Sequence, residues 1–364
     1  MLKARYRWVP GLLLEFLQAP KPYSTKKKCK IVTAGGLRRG AARAACCRIA
    51  AFAVSKNSLK HKGDPRMSSK HPVIAITGSS GAGTTTVKRA FEHIFRREEI
   101  TPAVIEGDSY HRFNRVEMRE AMKKAEAAGN RHFSHFGPEA NLFDEIEKCF
   151  KTYGETGGGK KRYYLHSDEE AAEHNKRLGT SLKAGEFTPW EEVPTGTDLM
   201  FYEGLHGGIV DAKTGVDAAK WVDLLVGVVP DVNLEWIQKI HRDTKERGYS
   251  TEAVVDTILR RMPDYVHYIT PQFSRSHINF QRVPIVDTSN PFIARDIPTP
   301  DESFVVIRFR NPHGVDFPYY LRMINDSFMS RPNNIVVPGG KMGFAMEIIL
   351  TPVIDQMLAG KKKR

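Results

Sequence analysis

Cysteine is nearly absent from this chain. There are four in 364 residues, and Cys29, Cys46 and Cys47 fall within the first 66. The remainder holds Cys149 alone. That excludes a disulfide framework and a cysteine-based metal site there, and it fits a reducing compartment, so a cytoplasmic location is expected. Long apolar runs are missing too. Ile49 to Val54 and Leu224 to Val229 are the best candidates, and both fall short of the ~18 residues that span a membrane. No membrane partner is expected. Acidic residues are scarce only at the start: residues 1–66 hold 16 Lys/Arg against 2 Asp/Glu, whereas the rest holds 39 against 40. The formal net charge of +13 therefore belongs to the first 66 residues. The near-neutral body gives no electrostatic reason to bind nucleic acid.

The basic extension has three readings. It is rich in Lys/Arg and poor in acids, as a transit peptide or a disordered basic arm would be. The composition changes abruptly at Met67-Ser68-Ser69-Lys70, six residues before the first strand. We therefore expect residues 1–66 to be a dispensable extension upstream of a natural start at Met67, and residues 67–364 to be the working domain.

One residue is missing where chemistry would want it. The run Gly78-Ser79-Ser80-Gly81-Ala82-Gly83-Thr84-Thr85-Thr86 follows the apolar strand Val73–Thr77 and opens a helix over 85–97. Its glycines at the first and sixth positions and its Thr at the eighth match a phosphate-binding P-loop. Such a loop turns backbone N–H groups toward phosphate oxygens at a helix N-terminus, and the Thr85 hydroxyl can ligate Mg²⁺. The usual Lys is Thr84 here. A bland glycine turn competes with this reading. If the loop binds ATP, a cation must reach the phosphates from elsewhere in the chain.

The body alternates strands and helices, which implies an α/β fold, a mainly parallel sheet flanked by helices. Strands are expected at 103–106, 199–202, 222–229, 304–309 and 334–338. Helices are expected at 117–128, 139–153, 233–247, 251–261 and 341–358. The segment 155–197 is polar and weakly periodic, and reads as an inserted substrate-side region. Ligands bind at the carboxyl ends of strands in such sheets. Asp108 and Glu203 stand at those ends. A carboxylate after a strand is an ordinary turn residue when it stands alone; two in one P-loop chain are harder to dismiss.

A third acid, Asp243, shares a helix face with Lys239 and Arg247, four residues to either side. A solvated face of ion pairs is the plain reading. The missing P-loop Lys favours another, in which Lys239, Arg242 or the Arg260-Arg261 pair supplies charge to the transferring phosphoryl group. His111, Arg112 and Arg115 can hold the phosphate of a phosphorylated sugar, for which the planar arginine fork is suited.

Five segments together carry a family resemblance: the P-loop; Glu106-Gly107-Asp108 with His111-Arg112-Phe113-Asn114-Arg115; Phe201-Tyr202-Glu203-Gly204-Leu205-His206-Gly207; residues 233–243; and Val286-Asp287-Thr288-Ser289-Asn290-Pro291-Phe292. From Met67 to about Leu358 the chain resembles phosphoribulokinase of the bacterial (proteobacterial) type. The resemblance covers none of residues 1–66. It implies a P-loop kinase fold and the Calvin-cycle transfer from Mg-ATP to the C1 hydroxyl of ribulose 5-phosphate. It tolerates the absent P-loop Lys. By resemblance, Asp108 is the general base, Thr85, Glu203 and Asp243 serve Mg²⁺, and Lys239 and Arg242 stabilise the phosphoryl group. His111, Arg115 and Arg247 hold the sugar phosphate, and Arg260 and Arg261 belong to an ATP-side lid. A homo-oligomer controlled by NADH and AMP is implied, with Arg308 and Arg331 as effector contacts. Plant-type members carry a regulatory cysteine in the P-loop; none stands here. A related kinase acting on uridine or pantothenate, and a nucleotide-binding regulator without transfer, are the alternatives.

Overall fold

The structure is a computed structural model that describes residues 70–79, 83–245 and 248–362. The chain divides into two units, Met1–Lys56 and Asn57–Arg364; the described residues belong to the second.

In chain order they form β1 (Val73–Gly78), α1 (Thr84–Arg97), β2 (Pro102–Glu106), α2 (Arg115–Ala127), α3 (Phe143–Thr156), β3 (Lys160–Lys161) and α4 (Asp168–Leu178). Next come β4 (Glu191–Glu192), β5 (Leu199–Gly204), β6 (Val210–Asp211), β7 (Val216–Asp217), β8 (Leu224–Val229), α5 (Val232–Lys245), α6 (Thr251–Asp264) and α7 (Thr270–Arg275). The chain closes with β9 (Ile278–Pro284), β10 (Ser303–Phe309), α8 (Phe317–Met323), β11 (Phe328–Arg331), β12 (Asn334–Pro338) and α9 (Met342–Lys362).

Eight strands make one mixed sheet in the order β11-β12-β10-β9-β8-β1-β5-β2. The five from β9 to β2 run parallel, and antiparallel pairing begins between β9 and β10. The expected α/β architecture is the one observed. β1 lies near the middle and is buried on both faces. Ile74 and Ile76 enter the core shared with α1 and α9, while Val73 and Ala75 enter the core shared with α3. A parallel strand covered on both sides needs apolar residues at every position, hence its unbroken run. Phe91, Phe95 and Phe201 pack in the first core with their rings tilted or edge-on. Truncating the fully buried Phe91 to Ala would cost ~3–5 kcal/mol.

Four expectations shift. β9 was not anticipated: its Asn279, Gln281 and Arg282 interrupt the apolar pattern, yet it lies inside the sheet, where β8 and β10 pair both its edges. Residues 139–142 are not helical, because Asn141 pairs with His111 in an isolated bridge. The 155–197 insert contains α4 and the β3/β4 hairpin. Gly339–Ala359, with mean hydropathy 1.3, is the one helical stretch among the described residues long and apolar enough to cross a membrane. Its scattered Lys341, Glu347 and Asp355 hide it from a search for unbroken runs. Met342, Ala345, Met346, Ile349, Leu350 and Ile354 are buried in the first core, which accounts for that hydropathy.

Candidate active site

β1 delivers Gly78 to the strand end, where a Cβ would lie 2.7 Å from the Val228 carbonyl. Gly83 caps α1 with φ of 102°, a conformation that favours glycine. The expected phosphate turn therefore opens and closes as a strand-to-helix junction. Ser80, Gly81 and Ala82 lie outside the described residues, as do the side chains of Thr84 and Thr85. Thr86 is exposed. Ser79 is buried beside Glu235 of α5. Burial pushes the Glu235 carboxyl up, against Ser79, Tyr265, Lys239 and Arg261. The Tyr265 hydroxyl donates to Glu235 Oε2 at 3.2 Å.

Asp108 stands in a short 3-10 turn, Gly107–Tyr110, directly after β2. His111 Nε2 lies 3.4 Å from its Oδ1, and His166 Nε2 lies 3.7 Å from its Oδ2. Enclosure pushes the carboxyl up, but His111, His166 and His135 outweigh it and hold it at about 2. Its side chain still keeps 43 % of its surface open, so an acceptor can reach it. Asn141 orients His111. The Asn141 amide donates to the carbonyls of His135 and Gly137 at 2.8 and 2.7 Å, so its Oδ1 is left to accept from His111 Nδ1–H at 2.8 Å. Burial opposes protonation of His111, but Asp108 and Asn141 overcome this and raise its pKa. Burial, then Arg261 and His111, drive His135 down to about 3, so it stays neutral.

On α5, Lys239 Nζ pairs with Asp243 Oδ2, and Arg242 Nε donates to Asp243 Oδ1 at 3.3 Å. Asp243 is buried. A buried carboxylate between two cations is a structural unit rather than a solvated face. Burial and Arg261 lower the Lys239 pKa. Arg261 is itself enclosed, brought down to about 10 by burial, with Arg242 and Arg260 adding to this against Asp243 and Glu235. Its guanidinium lies over the Phe136 ring, 5.4 Å from the centroid. Arg261 thus faces both the Asp243 cluster and the histidines of Asp108. Its neighbour Arg260 turns away and donates to Asp256 at 2.6 Å.

Glu203 is the penultimate residue of β5, in register with Glu106 of β2. Burial pushes its carboxyl up to about 6, with Asp108 and Glu106 adding to this and Lys88 opposing it. Crowded carboxylates at strand ends call for a cation, and an oxygen donor set suits Mg²⁺. Among the described residues, no group of three or more His, Cys, Asp or Glu is arranged to hold a metal by itself.

Other anticipated residues fall elsewhere. Arg112 donates to the Glu139 and Asn141 carbonyls, and Arg115 to the His166 carbonyl. Arg247 lies outside the described residues. Arg308 and Arg331 sit on β10 and β11, both in register with Asn334 of β12, on the half of the sheet away from β1. The sequence reading overlooked His135, Asn141, His166 and Glu235. For His166 a signal existed, the aromatic run Tyr163-Tyr164-Leu165-His166 inside an otherwise polar insert.

Comparison with known proteins gives a consistent result. Residues 73–289 match the Phosphoribulokinase / Uridine kinase family. The chain is 63% identical over 297 residues to "Phosphoribulokinase, chromosomal" of Cupriavidus necator, which covers 82% of this chain and 99% of the relative. It is 62% identical over 294 residues to "Phosphoribulokinase" of Nitrobacter vulgaris, covering 81% and 99%. The solved structure titled phosphoribulokinase from Rhodobacter spheroides superposes with a TM-score of 0.73 at 55% identity, covering 81% of this chain and 99% of that one.

Proposed function

This chain belongs to the phosphoribulokinase / uridine kinase family, and on that premise we propose how its residues divide the reaction. It is an ATP-dependent kinase that converts ribulose 5-phosphate to ribulose 1,5-bisphosphate, the phosphoryl-transfer step of the Calvin cycle. The observation that carries the division of labour is Asp108, an ionised carboxylate held among three histidines at the strand ends.

The C1 hydroxyl of the sugar donates to the Asp108 carboxylate, which aims its oxygen at the γ-phosphorus and takes its proton. A carboxylate at about 2 is a weak base. That suffices, because the transition state of phosphoryl transfer is loose and the proton leaves late. His111 as imidazolium, with Arg115 and Arg247, binds the 5-phosphate. Lys239, Arg242 and Arg261 offset charge on the transferring group and replace the missing P-loop Lys. Arg260 joins the lid from its outer face. Residues 78–86 cradle the ATP phosphates. Glu203 and Thr85 would hold Mg²⁺, which when bound neutralises the β- and γ-oxygens. Asp243 acts through Lys239 and Arg242, whose nitrogens already occupy its oxygens.

We also propose residues 67–364 as the catalytic unit, in the cytoplasm and assembled as a homo-oligomer. Arg308 and Arg331 flank Asn334 from two neighbouring strands, a spacing that suits the phosphates of NADH or AMP. The alignments, which span nearly all of each relative but about four-fifths of this chain, support the boundary.

The deciding test is ADP release by the full chain with Mg-ATP and either ribulose 5-phosphate or uridine. Turnover with ribulose 5-phosphate alone is expected. Turnover with uridine alone would reassign the acceptor.

A further inference from the structure

We propose that Arg162 is a positioning residue for this reaction: its guanidinium fixes the backbone of the turn that carries Asp108. The proposal rests on reading Asp108 as the base.

Arg162 follows β3 in the inserted hairpin, and its guanidinium grips the turn at two points. Nε donates to the Ser109 carbonyl at 2.7 Å and Nη2 to the His111 carbonyl at 2.8 Å. These two carbonyls belong to the residues on either side of Tyr110, just after Asp108. The back of the guanidinium lies 3.8 Å from the centroid of Phe187 and 4.7 Å from that of Trp190. Trp190 in turn packs edge-on against Tyr110, a buried member of the same turn. Cation, rings and turn therefore form one block.

A planar fork with an apolar face can make these contacts together, and an ammonium group cannot. Among the described residues no carboxylate forms an ion pair with Arg162; its charge serves carbonyl oxygens and aromatic faces. Burial lowers its pKa, consistent with a cation drawn out of water. The turn is a single 3-10 turn of four residues. The Leu142 N–H also donates to its Tyr110 carbonyl at 2.9 Å and the Ser109 hydroxyl to the Glu106 carbonyl at 2.5 Å, and Arg162 takes two further carbonyls. Four residues beyond Arg162, His166 approaches the Asp108 carboxylate itself. One segment thus sets both the backbone and the charge of the base, so docking of the hairpin and placement of Asp108 are one event.

The test uses full-length Arg162→Ala, Arg162→Lys and Asp108→Asn. Displacing a reacting group by about 1 Å can cost 10²-fold in rate. Arg162→Ala should therefore lose roughly 100-fold in kcat while ATP affinity by calorimetry is unchanged, and millimolar guanidinium should restore part of that loss. Arg162→Lys should remain at least about 10-fold impaired in kcat. Wild-type kcat in Arg162→Lys would overturn the proposal. So would a loss in Arg162→Ala that is matched by ATP affinity and melting temperature and untouched by guanidinium. If Arg162→Ala fails to fold, Arg162→Lys decides by the same readings. If Asp108→Asn keeps its turnover, the base assignment fails. If Asp108→Asn is inactive while both Arg162 variants are normal, only the clamp fails.

Discussion

Two carboxylates belong to this candidate site, and their surroundings differ in kind. Asp108 sits among histidines, on a turn, with nearly half its side chain exposed. Asp243 sits on a helix, buried between Lys239 and Arg242, with Arg261 close by. The first cluster is held by imidazoles, and the second by an ammonium and guanidinium groups. The difference fits the proposed division between an acceptor side at Asp108 and a donor side at Asp243. The acceptor side must bind a phosphate, release a product and take a proton. The donor side must present steady positive charge to a polyphosphate, and burial in low dielectric makes that charge count.

The sharpest way to break this contrast is to neutralise each carboxylate or its partner. Asp108→Asn should lower kcat by about 10³-fold or more, with ATP affinity changed by less than about 2-fold. Steady-state ADP release and ATP calorimetry check this; a surviving kcat would remove Asp108 as the base. Lys239→Met should lower kcat by roughly 10²–10³-fold and also destabilise the fold by about 3 kcal/mol, because Asp243 loses a buried partner. His111→Asn should leave the melting temperature almost unchanged, since Asp108 can turn to water. Equal melting shifts in the two variants would erase the distinction between the clusters.

A pH series sharpens the same point with a smaller effect. Asp108 raises the His111 pKa above the ordinary histidine value. Positive charge on the proposed sugar side therefore persists to higher pH than an ordinary histidine would hold it, and is lost as pH rises through that pKa. KM for ribulose 5-phosphate should climb on the alkaline side by about 10-fold, while KM for ATP stays level. A parallel rise in both would show that the titrating group serves the donor side as well.

The smallest effect comes from an interior control. His206 is buried, its Nε2–H donates to the Phe136 carbonyl at 3.1 Å, and burial holds its pKa at about 3. The unfolded chain binds a proton below ordinary histidine pKa and the folded chain does not, so this group costs stability as pH falls. Relative to His206→Gln, the native protein should lose about 2 kcal/mol between pH 6.5 and 5. Paired denaturation curves at the two pH values measure it, and a constant difference would mean that His206 is charged in the fold.

Much of the proposed donor side is legible in the sequence. A glycine turn between an apolar strand and a helix is a local pattern, and Lys239 and Asp243 meet because helix geometry brings residues four apart together. The acceptor side was less so. Asp108 and His111 are neighbours in the chain, but His135, Asn141 and His166 arrive from separate segments, and no spacing announces them. Arg162 was hidden for the same reason: its partners lie about fifty residues away, and its rings follow it by 25 and 28 residues.

Local order decides what a short stretch can signal. The apolar run of β1, the phosphate turn, the helix face of α5 and the neutral body behind a basic extension were set by the sequence alone, because each depends on contacts within a few residues. The place of β9 inside the sheet, the divergence of Arg260 from Arg261, the burial of α9 and the ring of histidines around Asp108 were decided by tertiary structure. These depend on which distant surfaces exclude water together, and that is a property of the packed fold rather than of any one segment.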